Sequence, residues 1–278
     1  MGEYALCSAL MRLEGNTENE DILKDVQAAL VQGVDLAKDL PLEYDDRVEE
    51  GDSALLVAVS FTALGIVRLL IDAGAKARNA TEAYSMCYQC QTNNDVEMLR
   101  CLLNRGAVDI LTGPDVAYFM LGLCHGVVTV DLLRVCLEFV ASRRDYLSNV
   151  LAYTDYNGKT MLHIAVCSFD PTNAAQRRSL WDVLRSYGHS RRAPVVKLLI
   201  EFGANVLQTD NAGHTPAYLA KESMDPDPEV KDILEEALLD IKKLEAFSMG
   251  SHPRLGDASM MRRIDPEVLR MIATRNFR

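Results

Sequence analysis

The sequence predicts an all-α solenoid of about six helix-pair repeats, with an inserted helix in the fifth repeat and a C-terminal helical tail. One helix-pair pattern recurs at a spacing of roughly 33 residues. Its clearest copies read DYNGKTMLHIA from Asp155 and DNAGHTPAYLA from Asp210. Apolar residues follow the helical period, as in IVRLLIDAGA from Ile66, and the run ends in Gly-Ala. Units of this kind bury their apolar faces only by stacking on their neighbours.

The first repeat is degenerate. Its helices are predicted at Glu3–Leu13 and Asp21–Val31, with Gly33 as a stop. The segment from Asp39 to Asp52 then carries seven acids and one Arg, which is too polar for a core helix. We expect it to form an exposed finger, our term for the turn that precedes each first helix.

The second repeat is predicted over about 51–80. The third uses helices at Thr81–Gln91 and Val96–Leu103 and is closed by Gly106.

The fourth repeat begins near Pro114, with helices at Val116–Cys124 and Val130–Phe139. Val140 stands where the neighbouring repeats place Gly, so this second helix is expected to run on or turn differently. Residues 141–154 add length before the fifth repeat.

An insertion of about two dozen residues splits the fifth repeat, whose second helix starts at Val195, and the sixth repeat ends near Leu239. We therefore predict a repeat array over 1–240, with the insertion at 169–192, and a basic helical tail over 241–278.

The pattern D-x-x-G-x-T-x-L-H-x-A followed by V-V-K-L-L-x-x-G-A resembles the ankyrin repeat. The fullest match is in the fifth repeat, at Gly158, Thr160, Leu162, His163, Ala165, Leu198, Leu199, Gly203 and Ala204. The resemblance covers roughly 1–240. It implies a noncatalytic scaffold that binds another protein through the concave face made by the fingers and first helices.

The matching residues have structural roles under this resemblance. Gly158 and Gly213 are expected to take positive φ in the tight turn, and Gly203, with Gly74 and Gly106, to end second helices in a left-handed cap.

Thr160 and Thr215 are expected to cap their first helices, and Pro216 suits a first turn because no amide donor is needed there. At the position of His163, the family uses an imidazole to hydrogen-bond across repeats.

The net charge of −11 disfavours nonspecific nucleic-acid binding. It is unevenly distributed, because residues 169–192 carry +3 (five Arg, two Asp) and residues 241–278 carry +4 (eight Lys/Arg, four acids), which leaves −11 − 7 = −18 elsewhere. The seven scattered cysteines favour buried thiols in a reducing compartment. With no membrane-spanning run, a cytosolic or nuclear location is expected and no membrane partner is predicted.

Strings that imitate catalytic or metal motifs are incomplete. Asn157–Thr160 reads NGKT, but a phosphate loop would need Gly where Tyr153 stands. Cys87-x-x-Cys90 lacks a second ligand pair at zinc spacing and favours core packing. We therefore predict no enzyme, no cofactor, no metal and no small-molecule substrate.

Two segments are candidates for partner contact. The acidic finger is predicted to meet a basic partner surface through Glu43, Asp45, Asp46, Glu49 and Glu50. The insertion is rich in residue types found at binding hot spots, namely Arg177, Arg178, Trp181, Arg185 and Tyr187. Alternatively, this inserted helix packs on the array with its arginines in solvent.

The tail contains a predicted helix that Asp265 caps and Pro266 begins. Together with Glu267 and Leu269, Pro266 resembles F-box-like segments at the C-termini of some ankyrin proteins, which would imply a ubiquitin-ligase substrate adaptor. The alternative is a helix that covers the open end of the array. A structural subunit of a larger assembly is a third function left open.

Overall fold

The computed structural model describes residues 2–13, 20–38, 52–125, 130–143, 146–166, 192–223 and 226–250. Within these ranges the chain forms helices joined by turns, with one isolated antiparallel bridge between Thr154 and Thr160. The expected all-α class is confirmed. The helices are α1 (Gly2–Leu10), α2 (Glu20–Val31), α3 (Ala54–Ser60), α4 (Leu64–Asp72), α5 (Ala80–Thr92), α6 (Val96–Asn104), α7 (Gly113–His125), α8 (Val130–Ala141), α9 (Leu147–Leu151), α10 (Met161–Val166), α11 (Arg192–Glu201), α12 (Pro216–Glu222) and α13 (Pro228–Gly250).

The chain divides into two compact bodies. The N-terminal body comprises Met1–Phe119 and Asp131–Arg144, and the C-terminal body comprises Met120–Val130 and Asp145–Arg278. In the N-terminal body the first helices α1, α3 and α5 pack in sequence, and the second helices α2, α4 and α6 do the same. In the C-terminal body α10 packs on α11 and α12, and α13 packs on both of those.

Side-chain caps set where several helices begin. The Ser53 hydroxyl accepts from Leu56 N at 3.1 Å and starts α3, and the Asp95 carboxylate accepts from Met98 N at 2.9 Å and starts α6. Each cap satisfies an amide that has no partner inside its helix. Losing such a cap costs about 1 kcal/mol.

Apolar residues at helical spacing fill the core between repeats. Leu55, Ile66, Leu70, Met86 and Leu99 are all at most 1% exposed. Fully burying a side chain of this size stabilises the fold by about 2 kcal/mol, so the stacked repeats depend on one another.

Three features differ from the sequence expectation or extend it. Helix α8 runs on to Ala141 and buries Val140, so the helix without a Gly stop does continue. The segment before the fifth repeat contains a short helix, α9, which the sequence did not predict. Helix α13 continues to Gly250, so the boundary placed between 240 and 241 falls inside a helix.

None of the helices in the described ranges combines the length and hydrophobicity that crossing a membrane requires.

Candidate protein-binding surface

The finger of the fifth repeat is held by its aspartate. Asp155 Oδ1 accepts from Asn157 N and Lys159 N, both at 2.8 Å, and Asp155 N donates to Lys159 O at 3.0 Å. Gly158 N closes the turn on Asp155 O at 3.0 Å with φ +74°. The D-x-x-G string therefore encodes a rigid turn made from local hydrogen bonds.

The sixth repeat builds the same finger from Asp210. Its Oδ1 accepts from Ala212 N at 2.9 Å and from His214 N at 2.8 Å, and Gly213 takes φ +81°. Burial alone would raise the pKa of Asp210, but the hydrogen bonds from the His214 and Ala212 amides outweigh it and lower the pKa below its ordinary value.

These two fingers contact each other directly. Asn211 N donates to Asn157 O at 3.0 Å, and Asn211 Nδ2 donates to Tyr156 O at 3.2 Å. At Gly158 an added Cβ would lie 2.3 Å from Asn211 Oδ1 and 2.8 Å from Asn211 N. At Gly213 it would meet nothing within 4 Å. Gly158 therefore serves both the turn and the close approach of the next finger.

His163 links the fifth and sixth repeats. Its imidazole is 0% exposed, and Nε2 lies 3.1 Å from His214 O. Because a carbonyl only accepts, Nε2 must carry the proton, which leaves Nδ1 to accept from the Thr160 hydroxyl at 2.8 Å and from Thr160 N at 3.2 Å. Burial lowers the pKa of His163, against the raising effects of the His214 carbonyl and Asp210.

Helix α12 departs from this pattern. Thr215 Oγ1 accepts from Tyr218 N at 3.3 Å, and Pro216 occupies the first turn. Tyr218 takes the place equivalent to His163, and its ring stacks on His214 with 4.4 Å between centroids. Gly203 ends α11 at φ +94°.

In the third repeat, Glu82 occupies the position equivalent to His163. Asn79 caps α5 by accepting from Glu82 N at 2.9 Å. Glu82 is 5% exposed, and its Oε2 accepts from Arg78 N at 2.8 Å and from Arg78 Nε at 2.9 Å. The sequence predicted no role for Glu82. The available signal was its spacing, three residues after a capping side chain.

The two carboxylate oxygens of Glu82 differ. Within the described residues, Oε1 is buried without a partner of normal hydrogen-bond geometry, although the Ser53 hydroxyl is near enough to help stabilise the charge. Burial would raise the pKa of Glu82, but hydrogen bonding from Arg78 and Ser53 and the charge of Arg78 lower it. Glu82 is thus a buried carboxylate held in its ionised form.

The third and fourth repeats bring three tyrosines together. Tyr84 and Tyr88 lie one turn apart on α5, and the Tyr84 ring centroid lies 6.1 Å from that of Tyr118 on α7. Tyr88 is 49% exposed and Tyr118 is 60% exposed. Burial raises the pKa of Tyr84, and Tyr118 and Tyr88 raise it further. We call Tyr84, Tyr88 and Tyr118 the tyrosine cluster. In the sequence, only the helical spacing of Tyr84 and Tyr88 indicates this cluster.

The second-helix side of the same body carries ion pairs between adjacent repeats. Arg100 Nη1 lies 3.3 Å from Glu138 Oε2, and Arg105 pairs with Asp72. These pairs are largely exposed, so each contributes about 0.5 kcal/mol. They engage Arg100 and Arg105 in intramolecular contacts.

Cys87 and Cys90 are packing residues of α5, each 1% exposed. Burial raises the pKa of Cys87 to about 12 and that of Cys90 well above its ordinary value. In the described part of the chain, no three His, Cys, Asp or Glu side chains are placed to hold a metal ion.

The predicted partner-contact residues and the F-box-like positions of the tail all fall in segments outside the described residues. They are Glu43, Asp45, Asp46, Glu49, Glu50, Arg177, Arg178, Trp181, Arg185 and Tyr187, and in the tail Pro266, Glu267 and Leu269.

Part of the sequence and the fold of this chain are similar to known proteins. Residues 157–211 match the family model of the ankyrin repeat. The fold is similar to the crystal structure of EF0377, an ankyrin repeat protein, at 20% identity and a TM-score of 0.51, covering 83% of this chain and 96% of that one. The ankyrin repeat domain of Bcl-3, a unique member of the IkappaB protein family, matches at 19% identity and a TM-score of 0.38, over 83% of this chain and 97% of that one. No curated protein sequence matches. Residues 157–211 thus carry ankyrin repeats, and the fold of the described residues is that of an ankyrin repeat protein.

Proposed function

We propose that this chain is a noncatalytic recognition protein that binds another protein through the face formed by its fingers and first helices. Ankyrin repeats are in general protein-interaction modules, and repeat arrays provide extended surfaces for this purpose. The observation that supports this particular face is the exposure of Tyr88 and Tyr118 on first helices, 49% and 60% respectively.

The composition of the first helices in the second to fourth repeats supports the same face. Helices α3, α5 and α7 contain no Lys or Arg, and their only acids are Glu82 and Asp115. The centres of protein interfaces are poor in charged residues and rich in tyrosine. The second-helix side, with its intramolecular ion pairs, has the composition of a solvated surface.

Two further contact segments belong to this proposal on grounds of sequence. The acidic finger, through Glu43, Asp45, Asp46, Glu49 and Glu50, would meet a basic surface of the partner. The insertion would add an aromatic and arginine-rich contact through Arg177, Arg178, Trp181, Arg185 and Tyr187. The scattered cysteines support a cytosolic or nuclear site of action.

Proximity labelling followed by binding assays with the purified partner tests this function. If the insertion contacts the partner, Trp181→Ala will weaken affinity by about 2 kcal/mol, roughly 30-fold, and leave the free energy of unfolding unchanged. If the helix only packs on the array, the same change will lower stability by about 3 kcal/mol and preserve affinity. If neither proximity labelling nor the binding assays find a specific protein partner, the proposed recognition function is contradicted.

The tail carries the alternative function. Pro266, Glu267 and Leu269 favour a substrate adaptor for ubiquitin ligation, and the same labelling experiment distinguishes it by recovering ligase components. Stoichiometric retention of the chain in one stable complex would instead favour a structural subunit. A variant ending at residue 250 separates these outcomes, because it loses ligase components only in the adaptor function.

A further inference from the structure

We infer that the tyrosine cluster binds an arginine side chain from a basic segment of the partner. This inference rests on the proposed function and specifies the chemistry of one part of its surface. The rings supply the first reason. Tyr88 and Tyr118 are about half exposed or more, and Tyr84 is half-buried with its ring centroid 6.1 Å from that of Tyr118. Exposed aromatic faces attract cations, arginine most often.

A carboxylate next to the rings supplies the second reason. Asp115 lies three residues before Tyr118 on α7, so the two side chains are neighbours on the helix surface. Asp115 Oδ2 accepts from Thr112 N at 2.8 Å and from the Thr112 hydroxyl at 2.5 Å, both neutral donors. Among the described residues, Asp115 forms no ion pair, and the first helices α3, α5 and α7 offer no Lys or Arg to neutralise it.

The same combination of an aromatic ring and a carboxylate holds an arginine elsewhere in this chain. The Arg143 guanidinium lies 4.2 Å from the Phe139 ring centroid, and its Nη2 lies 2.5 Å from Asp109 Oδ1. An aromatic ring and an aspartate thus hold one arginine on the second-helix side. The tyrosine cluster and Asp115 present the ring and the carboxylate without the cation, so an arginine from a partner completes the set. The planar guanidinium suits both contacts better than a lysine ammonium does.

Charge at longer range favours the same occupant. The chain carries −11 overall, which attracts a basic segment and repels an acidic one. A neutral proline-rich peptide is the competing occupant, because aromatic grooves also bind extended proline segments. It would gain nothing from Asp115, and this difference separates the two.

The test uses the full chain and a fluorescent twelve-residue peptide of four Gly-Arg-Ser repeats, with matched peptides in which citrulline, lysine or proline replaces arginine. Arginine to citrulline removes the charge and keeps the shape, and we expect it to weaken binding by about tenfold. The lysine peptide should bind more weakly than the arginine peptide. Equal binding of the citrulline or proline peptide would overturn the inference in favour of a neutral groove.

Protein variants localise the site. Tyr118→Ala should weaken the arginine peptide by about fivefold, and Tyr118→Phe, which keeps the ring, should bind like the wild type. Val31→Ala is the control for an exposed apolar side chain on a second helix, because Val31 on α2 is 88% exposed, and it should change nothing. Equal melting temperatures for all three variants exclude unfolding as the cause of a loss. Full binding by Tyr118→Ala would overturn the inference.

A matched pair of charge changes separates local from bulk attraction. Asp115→Asn should weaken the arginine peptide by about fivefold, whereas Asp131→Asn, an equal charge change at an exposed position of α8, should have little effect. Equal losses in the two variants would show bulk attraction and overturn the site.

If the Tyr118→Ala variant keeps its affinity for the partner found by proximity labelling, this inference fails and protein recognition stands. If no partner binds the chain at all, the proposed function fails as well.

Discussion

Two repeat junctions place different side chains at the same helical position. Between the fifth and sixth repeats, His163 is neutral, fully buried and bonded to His214 O of the next finger. In the third repeat, Glu82 is equally interior but ionised, and its own finger supplies the compensating Arg78. A neutral imidazole can reach forward to a bare carbonyl, whereas a buried carboxylate must keep a cation close. The same position therefore hydrogen-bonds to the following finger in one case, and in the other holds a charge beside Arg78 with the Ser53 hydroxyl of the preceding repeat nearby.

The contacts between neighbouring fingers also differ from one body to the other. Asn211 lies against Gly158 so closely that no Cβ fits between them, and two hydrogen bonds join these fingers. In the N-terminal body, the segment before α5 contacts the segment before α7 through a backbone hydrogen bond from Ala77 N to Ala107 O at 2.8 Å, which tolerates side chains on both partners. Similarity to the repeat pattern is thus greatest where the fingers touch most closely.

The largest expected effect comes from Gly158→Ala. The new methyl group would collide with the Asn211 backbone amide and would hold a non-glycine residue at φ +74°, so we expect a loss of about 3 kcal/mol in the free energy of unfolding. Gly213→Ala carries the φ penalty alone and should lose only about 1 kcal/mol. Urea denaturation of both variants measures the difference. Equal losses of stability in the two variants would show that the contact between the fifth and sixth fingers contributes nothing to stability.

His163→Ala is expected to destabilise the chain by about 2 kcal/mol, because it leaves His214 O and the Thr160 hydroxyl without their buried partner. Affinity for the partner should not change, since the imidazole is inaccessible. Circular dichroism on heating gives the stability and a binding titration gives the affinity. A variant that melts with the wild type would contradict the bridging role.

Glu82→Gln should cost about 1 kcal/mol, since an amide can still accept from Arg78 N but no longer carries the charge that pairs with its guanidinium. Glu97→Gln is the control in the same body. Its carboxylate is 64% exposed and lies 3.8 Å from Arg100, so no measurable change in the urea midpoint is expected. A larger loss of stability for Glu97→Gln than for Glu82→Gln would contradict a stabilising role for the buried charge of Glu82.

The smallest effect is a pH dependence that His163 introduces. Burial lowers the pKa of the imidazole in the folded state, so the unfolded chain binds the proton first as pH falls. The contribution of His163 to stability is complete above pH of about 6.5 and decreases as pH falls from there toward the folded pKa. Glu82 and Asp210 have lowered pKa values, so their contributions are lost only at more acidic pH.

We therefore expect the free energy of unfolding to fall further between pH 7.5 and pH 5.5 in the wild type than in His163→Gln. The extra loss in the wild type should be less than about 1 kcal/mol. The glutamine variant can still hydrogen-bond but cannot titrate. Parallel pH profiles for the two proteins would show that His163 becomes charged in the folded state without cost.

The sequence alone determined the helix pairs, their order and the turns that separate them. These features depend on interactions within a few residues: apolar spacing, the capping residues Thr160 and Thr215, and glycines whose φ is positive. The ankyrin resemblance was clear at the fifth and sixth repeats because Asp155 and Asp210 build their fingers from local hydrogen bonds alone.

Only the tertiary structure decided which side chains meet across repeats. Tyr84 and Tyr118 are one repeat apart in sequence, as are Asp72 and Arg105, and no local pattern predicts that either pair is in contact. The fate of Glu82 was equally hidden, because a carboxylate in the first turn of a helix is normally exposed. It becomes buried and charged only where neighbouring repeats exclude water from it and Arg78 is within reach. Stacking of the repeats, which depends on all their apolar faces together, brings these groups into contact.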